Sequence, residues 1–251
     1  MVEKIEQYGS ILKIYTRINN QSLLNYFYTD IKALDLVERY SWRNSLNKAR
    51  NIENVMRSYG GNWDKHSESF HRAYAFFVLG YYPQYIDHLN GVEIDNVDSN
   101  LNVVTNSQNI RNKPSKGYLF KVSSYGVSYF ETQLTILGQK IYGTVAYNEL
   151  DAFQSILELQ SQYYSDFNYD FKLDRRNDLD ILDLERTGVI SQEEATYRHV
   201  RRYVDDNPWY VYRYGLEEYC KDNHIVIPNF TLDEQGFMIH PITGQRFCPY
   251  I

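Results

Sequence analysis

The spacing of hydrophobic and polar residues predicts short strands and helices before residue 70. Residues 9–17 (GSILKIYTR) alternate in the manner of a β-strand, and residues 23–28 are expected to pair with it. Residues 30–42 (DIKALDLVERYSW) carry apolar side chains at helical spacing and predict a helix. Residues 50–59 are compatible with a strand and with a helix, so the pattern leaves this segment open.

The stretch from Phe70 to Lys113 carries the most informative pattern. Its sequence is FHRAYAFFVLGYYPQYIDHLNGVEIDNVDSNLNVVTNSQNIRNK. An apolar, helix-like run comes first, and a strand then ends at the polar pair Asp87-His88. Asn90-Gly91 follows shortly afterwards and predicts a tight turn.

The second half of this stretch predicts a strand followed by a helix. Residues 101–105 form a β-branched run, and residues 106–113 predict a helix whose N-cap is Thr105 or Asn106. Strand, loop, strand and helix in this order bring four polar residues towards one another: Asp87, His88, Asn100 and Asn109. Such a layout can hold one divalent cation beside one imidazole.

These motifs resemble those of HNH endonucleases, in the variant typical of phage and intron-homing enzymes. The resemblance rests on matching motifs at matching spacings: His71-Arg72, Asp87-His88-Leu89-Asn90-Gly91, Asp95-Asn96, Asn100-Leu101, Val104-Thr105 and Asn109-Ile110-Arg111-Asn112. It implies a ββα-metal core that hydrolyses DNA phosphodiester bonds to 5′-phosphate and 3′-hydroxyl ends. A strand, an acidic helix and a tryptophan often precede that core, so Trp42 is expected to be a packing anchor.

The resemblance also implies a role for each polar residue. His88, as a neutral imidazole, is expected to take the proton of the attacking water. Asp87 and Asn109 are expected to bind one Mg²⁺ or Mn²⁺ ion per active site, because oxygen ligands favour these cations over zinc. Asn100 is expected to brace the loop and orient His88 as the second catalytic residue. His71 is expected next to the residues that act directly on the substrate. Its role is left open between packing at the start of a helix and contact with a phosphate. Three further acidic residues belong to a loop that is structural in the family: Glu93, Asp95 and Asp98.

Residues 116–163 predict three strands and a helix. This order is similar to the ethylene-response-factor type of DNA-binding domain, which often follows an HNH core in homing endonucleases. In that family a three-stranded sheet enters the major groove. The sheet predicted here carries lysines and no arginine, so strong sequence-specific readout is not expected. Across both segments, the residues expected to contact DNA are Arg72, Arg111, Lys113, Lys116, Lys121 and Lys140.

Composition narrows the class of protein further. The 251 residues include two cysteines, Cys220 and Cys248, which form no CxxC pair, so a zinc ribbon is excluded and a disulfide framework is not expected. No run approaches the ~20 apolar residues of a membrane span. The first ten residues lack the basic segment and the apolar segment that characterise a signal peptide. We therefore expect a cytoplasmic protein of a phage-infected bacterial host, with a virion component as the alternative.

Charge is distributed unevenly along the chain. The net charge is −6. Residues 1–150 carry 16 Lys and Arg against 14 Asp and Glu, whereas residues 151–251 carry 10 against 18. Because a phosphate backbone repels acidic surfaces, residues 166–251 are expected to bind a protein partner rather than DNA. The alternative is that this segment folds back on the nuclease core and occludes its DNA groove.

The sequence thus predicts an α+β protein with four consecutive parts. An N-terminal strand and helix extension (1–69) precedes the ββα-metal nuclease core (70–113). The three-stranded DNA-binding domain (114–163) and an acidic, mostly helical C-terminal module (166–251) follow. The predicted function is that of a metal-dependent endonuclease on double-stranded DNA, nicking or cleaving both strands. The alternative is a non-catalytic phage structural or protein-interaction protein that keeps the fold.

Overall fold

The computed structural model describes residues 2–17, 22–47, 52–58, 67–111, 117–136, 138–164 and 173–246. Helices and strands both occur throughout these residues, which confirms the α+β class. No described helix is both long enough and apolar enough to cross a membrane. The elements are, in chain order, β1 (Val2–Tyr8), β2 (Ile11–Thr16), β3 (Tyr26–Asp30), α1 (Leu34–Arg39), β4 (Trp42–Asn47), β5 (Ile52–Ser58), β6 (Ser67–Ser69), α2 (Phe70–Leu79), β7 (Ile86–His88), β8 (Asp95–Asn96), β9 (Leu101–Val103), α3 (Asn106–Arg111), β10 (Tyr118–Val122), β11 (Ser128–Ile136), β12 (Gln139–Tyr142), α4 (Glu149–Tyr164), α5 (Leu179–Arg186), α6 (Gln192–Asp206), α7 (Trp209–Arg213), α8 (Glu217–Asp222), β13 (Thr231–Leu232) and β14 (Met238–Ile239).

The chain forms two compact units, and each is discontinuous in sequence. The first unit comprises residues 1–112 and 172–196, and the second comprises residues 113–171 and 197–251. The acidic segment expected as one C-terminal module is therefore divided between the units. Its first part, which contains α5, belongs to the same unit as the Asp87-His88 motif.

A four-stranded sheet in the order β1-β2-β3-β8 forms one layer of the first unit. The predicted strand at residues 9–17 and its pairing with the next strand are confirmed by β2 and β3, which run antiparallel. β8 lies parallel to β3, with Asp95 opposite Tyr28 and Asn96 opposite Thr29. This pairing attaches the loop that follows the Asp87-His88 motif to the edge of a buried sheet.

The segment of residues 30–59 differs in part from the predicted elements. The helix expected over residues 30–42 is shorter, because Tyr40 is extended and Trp42 begins β4, where it pairs with Arg57 of β5. The open assignment at residues 50–59 is settled by β5, a strand. Trp42 is fully buried with its ring centroid 4.7 Å from that of Phe70, which confirms it as a packing anchor.

The core of the first unit gathers apolar side chains from every layer. They are Leu12, Ile14, Phe27, Ala33, Leu36, Val37, Trp42, Val55, Phe70, Ala73, Tyr74, Val92, Ile94 and Leu182. Leu182 comes from α5, more than eighty positions after the preceding member, Ile94. Since burying a Leu side chain stabilises a fold by roughly 1.5–3 kcal/mol, α5 is an integral part of this core.

The second unit contains a three-stranded antiparallel sheet, β10-β11-β12, with α4 packed on it. The three strands and the helix expected over residues 116–163 are confirmed as elements. After Pro208 the chain forms two short helices, α7 and α8, because it turns between them at Gly215, where φ is 62°. The hairpin β13-β14 turns at Gly236, where φ is 80°.

Candidate active site

Asp87 and His88 end β7, which pairs antiparallel with β9. Asp87 lies opposite Asn102 and His88 opposite Leu101. His88 is buried, with 6% of its surface exposed, whereas Asp87 is half-buried. Because successive side chains of a strand point to opposite faces, the carboxylate and the imidazole leave β7 in different directions.

Burial controls the protonation of His88. It lowers the pKa of His88 below the ordinary value of 6.5, and the hydrogen bond to Asn96 and the carboxylates of Asp95 and Asp87 oppose it. The net direction is downward. The imidazole is therefore neutral at neutral pH, which is the state of a proton acceptor.

Asn96 selects the tautomer of His88. The Asn96 amide is oriented by its Nδ2 atom, which donates to the carbonyl oxygen of Glu93 at 3.1 Å. Its Oδ1 atom therefore faces His88 Nε2, 3.1 Å away. Because an amide oxygen only accepts, Nε2 carries the proton and Nδ1 carries the lone pair.

Asn100 holds the loop rather than the imidazole. This fully buried side chain accepts a hydrogen bond from the Asn90 N–H at 3.0 Å and donates to the Asp95 carbonyl at 2.7 Å. Its own carbonyl accepts from the Leu89 N–H at 2.9 Å. Bracing of the loop thus matches the expected role of Asn100, while orientation of the His88 ring comes from Asn96.

His71 lies against His88. The two ring centroids are 5.1 Å apart and the ring planes are nearly perpendicular, at 87°. Burial, then the neighbouring His88 and Arg72, lowers the pKa of His71 to about 3. His71 Nε2 lies 3.2 Å from the Ser69 hydroxyl at the start of α2. At neutral pH the His71 imidazole is therefore uncharged, packs against the ring of His88 and adds no charge to the site.

Two residues of the loop contribute more to the site than the sequence analysis assigned to them. In the sequence, Asn96 is only the second residue of the Asp95-Asn96 motif, and its burial and contact with His88 depend on the β3–β8 pairing. Burial raises the pKa of the Glu93 carboxyl to about 7; Arg176 opposes this shift, and Asp174 and Asp87 add to it. Glu93 is an acidic residue in a loop, next to the hydrophobic Ile94, and nothing in this local sequence indicates a raised pKa.

Asn109 lies on α3, the helix that comes directly after β9 in the chain. The side chain of Asn109 is half-buried and makes no hydrogen bond to any other described residue. No group of three or more His, Cys, Asp or Glu residues suited to a metal occurs in the described ranges. Asp87 and Asn109 supply a carboxylate and an amide oxygen, a donor set that fits a hard cation completed by water and phosphate.

The expected DNA-contacting cations differ in their surroundings. Arg72 is half-buried, with its guanidinium 6.0 Å from the centroid of the Tyr82 ring. Lys121 forms an ion pair with Glu131 on the neighbouring strand at 2.6 Å, and Lys140 is exposed on β12. The other three fall outside what the structure describes: the side chain of Arg111, Lys113 and Lys116.

Comparison of the chain with protein-family models, with curated proteins and with solved structures gave no match in any of the three searches.

Proposed function

We propose that this protein is a metal-dependent DNA endonuclease of the HNH type, in which β7, β9 and α3 form the ββα-metal core. The observation that carries the proposal is the environment of His88. A buried, neutral imidazole whose Nε2–H is engaged by Asn96 keeps its basic lone pair on Nδ1, and the carboxylate-bearing residue Asp87 precedes it on β7. General bases of this kind contribute ~10²–10⁴-fold to rate.

The reaction follows from these groups. His88 Nδ1 accepts a proton from water, the water oxygen attacks phosphorus, and the bond from phosphorus to the 3′ oxygen breaks. The departing 3′ oxygen takes a proton from solvent, leaving 5′-phosphate and 3′-hydroxyl ends. Asn100 contributes by holding the backbone at Leu89 and Asn90, immediately after the base.

Asp87 and Asn109 would hold one Mg²⁺ or Mn²⁺ ion. When bound, such an ion stabilises negative charge on the phosphate and on the leaving oxygen. The oxygen donors of both residues suit these cations, which keep several water and phosphate ligands of their own. Zinc fits less well, because neither residue supplies a nitrogen or sulfur ligand.

Double-stranded DNA is the proposed substrate, and the second unit supplies an accessory surface. Its three-stranded sheet and helix support the proposed likeness to the ethylene-response-factor type of domain. Lys121 and Lys140 share the sheet face that also carries Glu131, as the strand registers require. One acid between two lysines favours weak contact with phosphates over base readout.

The alternative is a non-catalytic phage structural or interaction protein that keeps this fold. The observation that favours it is charge: residues 1–112 with 172–196 carry 16 basic against 19 acidic residues, and the remainder carries 10 against 13. Each unit therefore has a net charge of −3, which weakens DNA binding by either unit.

A plasmid-nicking assay separates the two functions. Supercoiled plasmid is incubated with the purified full-length protein in Mg²⁺, in Mn²⁺ and in EDTA. We expect conversion to relaxed or linear DNA with either cation and none in EDTA. Failure to cleave with both cations, in a protein shown to be folded, would support the non-catalytic function.

A further inference from the structure

We propose that Arg186 is a positioning residue for His88, through a buried ion pair that fixes the loop following the proposed base. This inference rests on the proposed endonuclease function and adds a segment that lies far away in sequence. Arg186 is the last residue of α5, and its partner is Asp95 on β8. Both belong to the first unit.

The ion pair has the geometry of a strong interaction. Arg186 Nε donates to Asp95 Oδ1 at 3.0 Å, and Nη2 donates to Asp95 Oδ2 at 2.9 Å. The Asp95 side chain is fully buried, and 12% of the Arg186 side chain is exposed. Two parallel charge-assisted hydrogen bonds fix the angle between the groups as well as their distance. A buried carboxylate without this partner would be strongly destabilised.

Asp95 passes this constraint to the loop through two asparagines. Its Oδ2 atom accepts from Asn90 Nδ2 at 2.7 Å, and its carbonyl accepts from Asn100 Nδ2 at 2.7 Å. Asn100 in turn accepts two hydrogen bonds: its backbone carbonyl accepts from the Leu89 N–H, and its Oδ1 atom accepts from the Asn90 N–H. The two residues after His88 are thereby tied to Asp95, and Asp95 is tied to α5.

A second contact of the same segment reaches this loop. The Arg175 N–H donates to the Asn90 carbonyl at 2.9 Å, just before α5 begins. The loop is therefore held from both sides, by the sheet through β8 and by the residues around α5. Without Arg186, the Asn90 side chain loses the fixed carboxylate that it contacts, and the Asp95 backbone that accepts from Asn100 is less constrained.

The test compares Arg186→Met with the full-length wild type under single-turnover conditions. We expect the cleavage rate constant to fall on the order of 10²-fold, the scale of a small misplacement of a catalytic group, while the Kd for plasmid DNA stays unchanged. Arg186→Lys keeps the charge and loses the paired donors, so its rate should lie between the two. An unchanged rate constant in folded Arg186→Met would overturn the proposal.

Asp183→Asn is the matched control. Asp183 lies on the same helix and contacts Lys13 and the Tyr28 hydroxyl on the sheet, and it makes no hydrogen bond to the Asp95 carboxylate or to Arg186. This variant should lose thermal stability but keep the cleavage rate. Equal losses of rate in both variants would show that any weakening of α5 is sufficient, which contradicts a specific role for Arg186. If Arg186→Met does not fold, Asp95→Asn/Arg186→Met removes the unpaired charge and takes its place.

Hydrogen exchange tests, independently of cleavage, whether Arg186 holds the loop that follows His88. In Arg186→Met, we expect faster exchange at the amides of Leu89, Asn90 and Gly91 and unchanged exchange in β2. Unchanged exchange at these three amides would overturn the proposal even if cleavage fell. A wild type that does not cleave DNA would overturn the endonuclease function, and the exchange data would still decide whether Arg186 holds the loop.

Discussion

The properties of His88 are set by its neighbours rather than by the residue type. An exposed histidine titrates near 6.5, and burial in this unit lowers that pKa. Asn96 decides which ring nitrogen carries the proton, through a hydrogen bond whose direction is fixed by the Glu93 carbonyl. In the proposed reaction, the protonation state of His88 therefore depends on Asn96, a residue to which the motifs assign neither a catalytic nor a metal-binding role.

Asn96→Ala should reduce the cleavage rate about 10–100-fold, the usual cost of removing a partner that orients a functional histidine. The physical reason is that Nε2 loses its acceptor and the tautomer with a basic Nδ1 is no longer favoured. Single-turnover cleavage measures the effect. Asn223→Ala, on the exposed α8–loop boundary of the second unit, is the control and should cleave at the wild-type rate. A normal rate in Asn96→Ala would contradict the tautomer assignment.

Glu93 predicts a pH-dependent stability. Its pKa is raised from 4.5 to about 7 in the folded protein, so the folded state binds the proton more tightly than the unfolded state. The stabilisation is present below pH 4.5 and is lost as pH rises through 7. Glu93→Gln, which mimics the protonated acid, should raise the free energy of unfolding at pH 8 by up to about 3 kcal/mol and change little at pH 4.5.

Urea unfolding in EDTA at both pH values measures this difference, since a bound cation would itself neutralise the carboxylate. Glu218→Gln provides the control, because Glu218 is exposed on α8 and should show no such dependence. An equal effect of Glu93→Gln at both pH values would contradict the raised pKa of this half-buried carboxyl.

At the scale of elements, the local sequence pattern predicts those strands, helices and caps that local interactions determine. The strands at β2 and β3, the three strands and helix of residues 118–164, and the N-cap of α3 follow from periodicity and capping residues. The sequence pattern does not predict β8, because this strand is two residues long and is defined by its pairing with β3. Motifs in the sequence predict the candidate site residues, whereas the contacts of Asn96, Glu93 and Arg186 follow only from the tertiary structure.

The N-cap of α3 gives a test at this scale. Gln108 N–H donates to Thr105 Oγ1 at 3.3 Å, and Gln108 Oε1 accepts the Thr105 N–H at 2.8 Å, the two bonds of a capping box. Thr105→Ala should destabilise α3 by about 1 kcal/mol, whereas Thr105→Ser should retain most of the cap. Hydrogen exchange at the Asn109 amide, which bonds to the Thr105 carbonyl, reports the change. Equal exchange in both variants would contradict the capping role.

At the scale of the whole molecule, the acidity of the C-terminal third does not mark a spatial unit. Part of it is α5, where Asp183 pairs with Lys13 and Arg186 pairs with Asp95. The sequence could not reveal this arrangement, because pairing partners 170 and 91 positions apart leave no local pattern. The charge contrast between residues 1–150 and 151–251 thus ceases to separate a DNA-binding part from a partner-binding part.

Truncation after Gln162 should therefore destabilise the first unit. It removes Leu182 from the core and leaves Asp95 buried without its partner, and either loss alone costs about 2–5 kcal/mol. Urea unfolding followed by tryptophan fluorescence should show an earlier transition than in the full chain. A transition at an unchanged urea concentration would show that residues 163–251 are dispensable for this unit, as an appended module would be.

The central claim is that His88 is the base of a phosphodiester hydrolase, and His88→Ala tests it most directly. Single-turnover cleavage of plasmid DNA in Mg²⁺ is measured beside the Kd for the same DNA in Ca²⁺. The expected result is a rate constant lower by ~10²–10⁴-fold with a nearly unchanged Kd, because a general base acts on the transition state and little on ground-state binding. A folded His88→Ala variant that cleaves DNA at the wild-type rate would contradict the account.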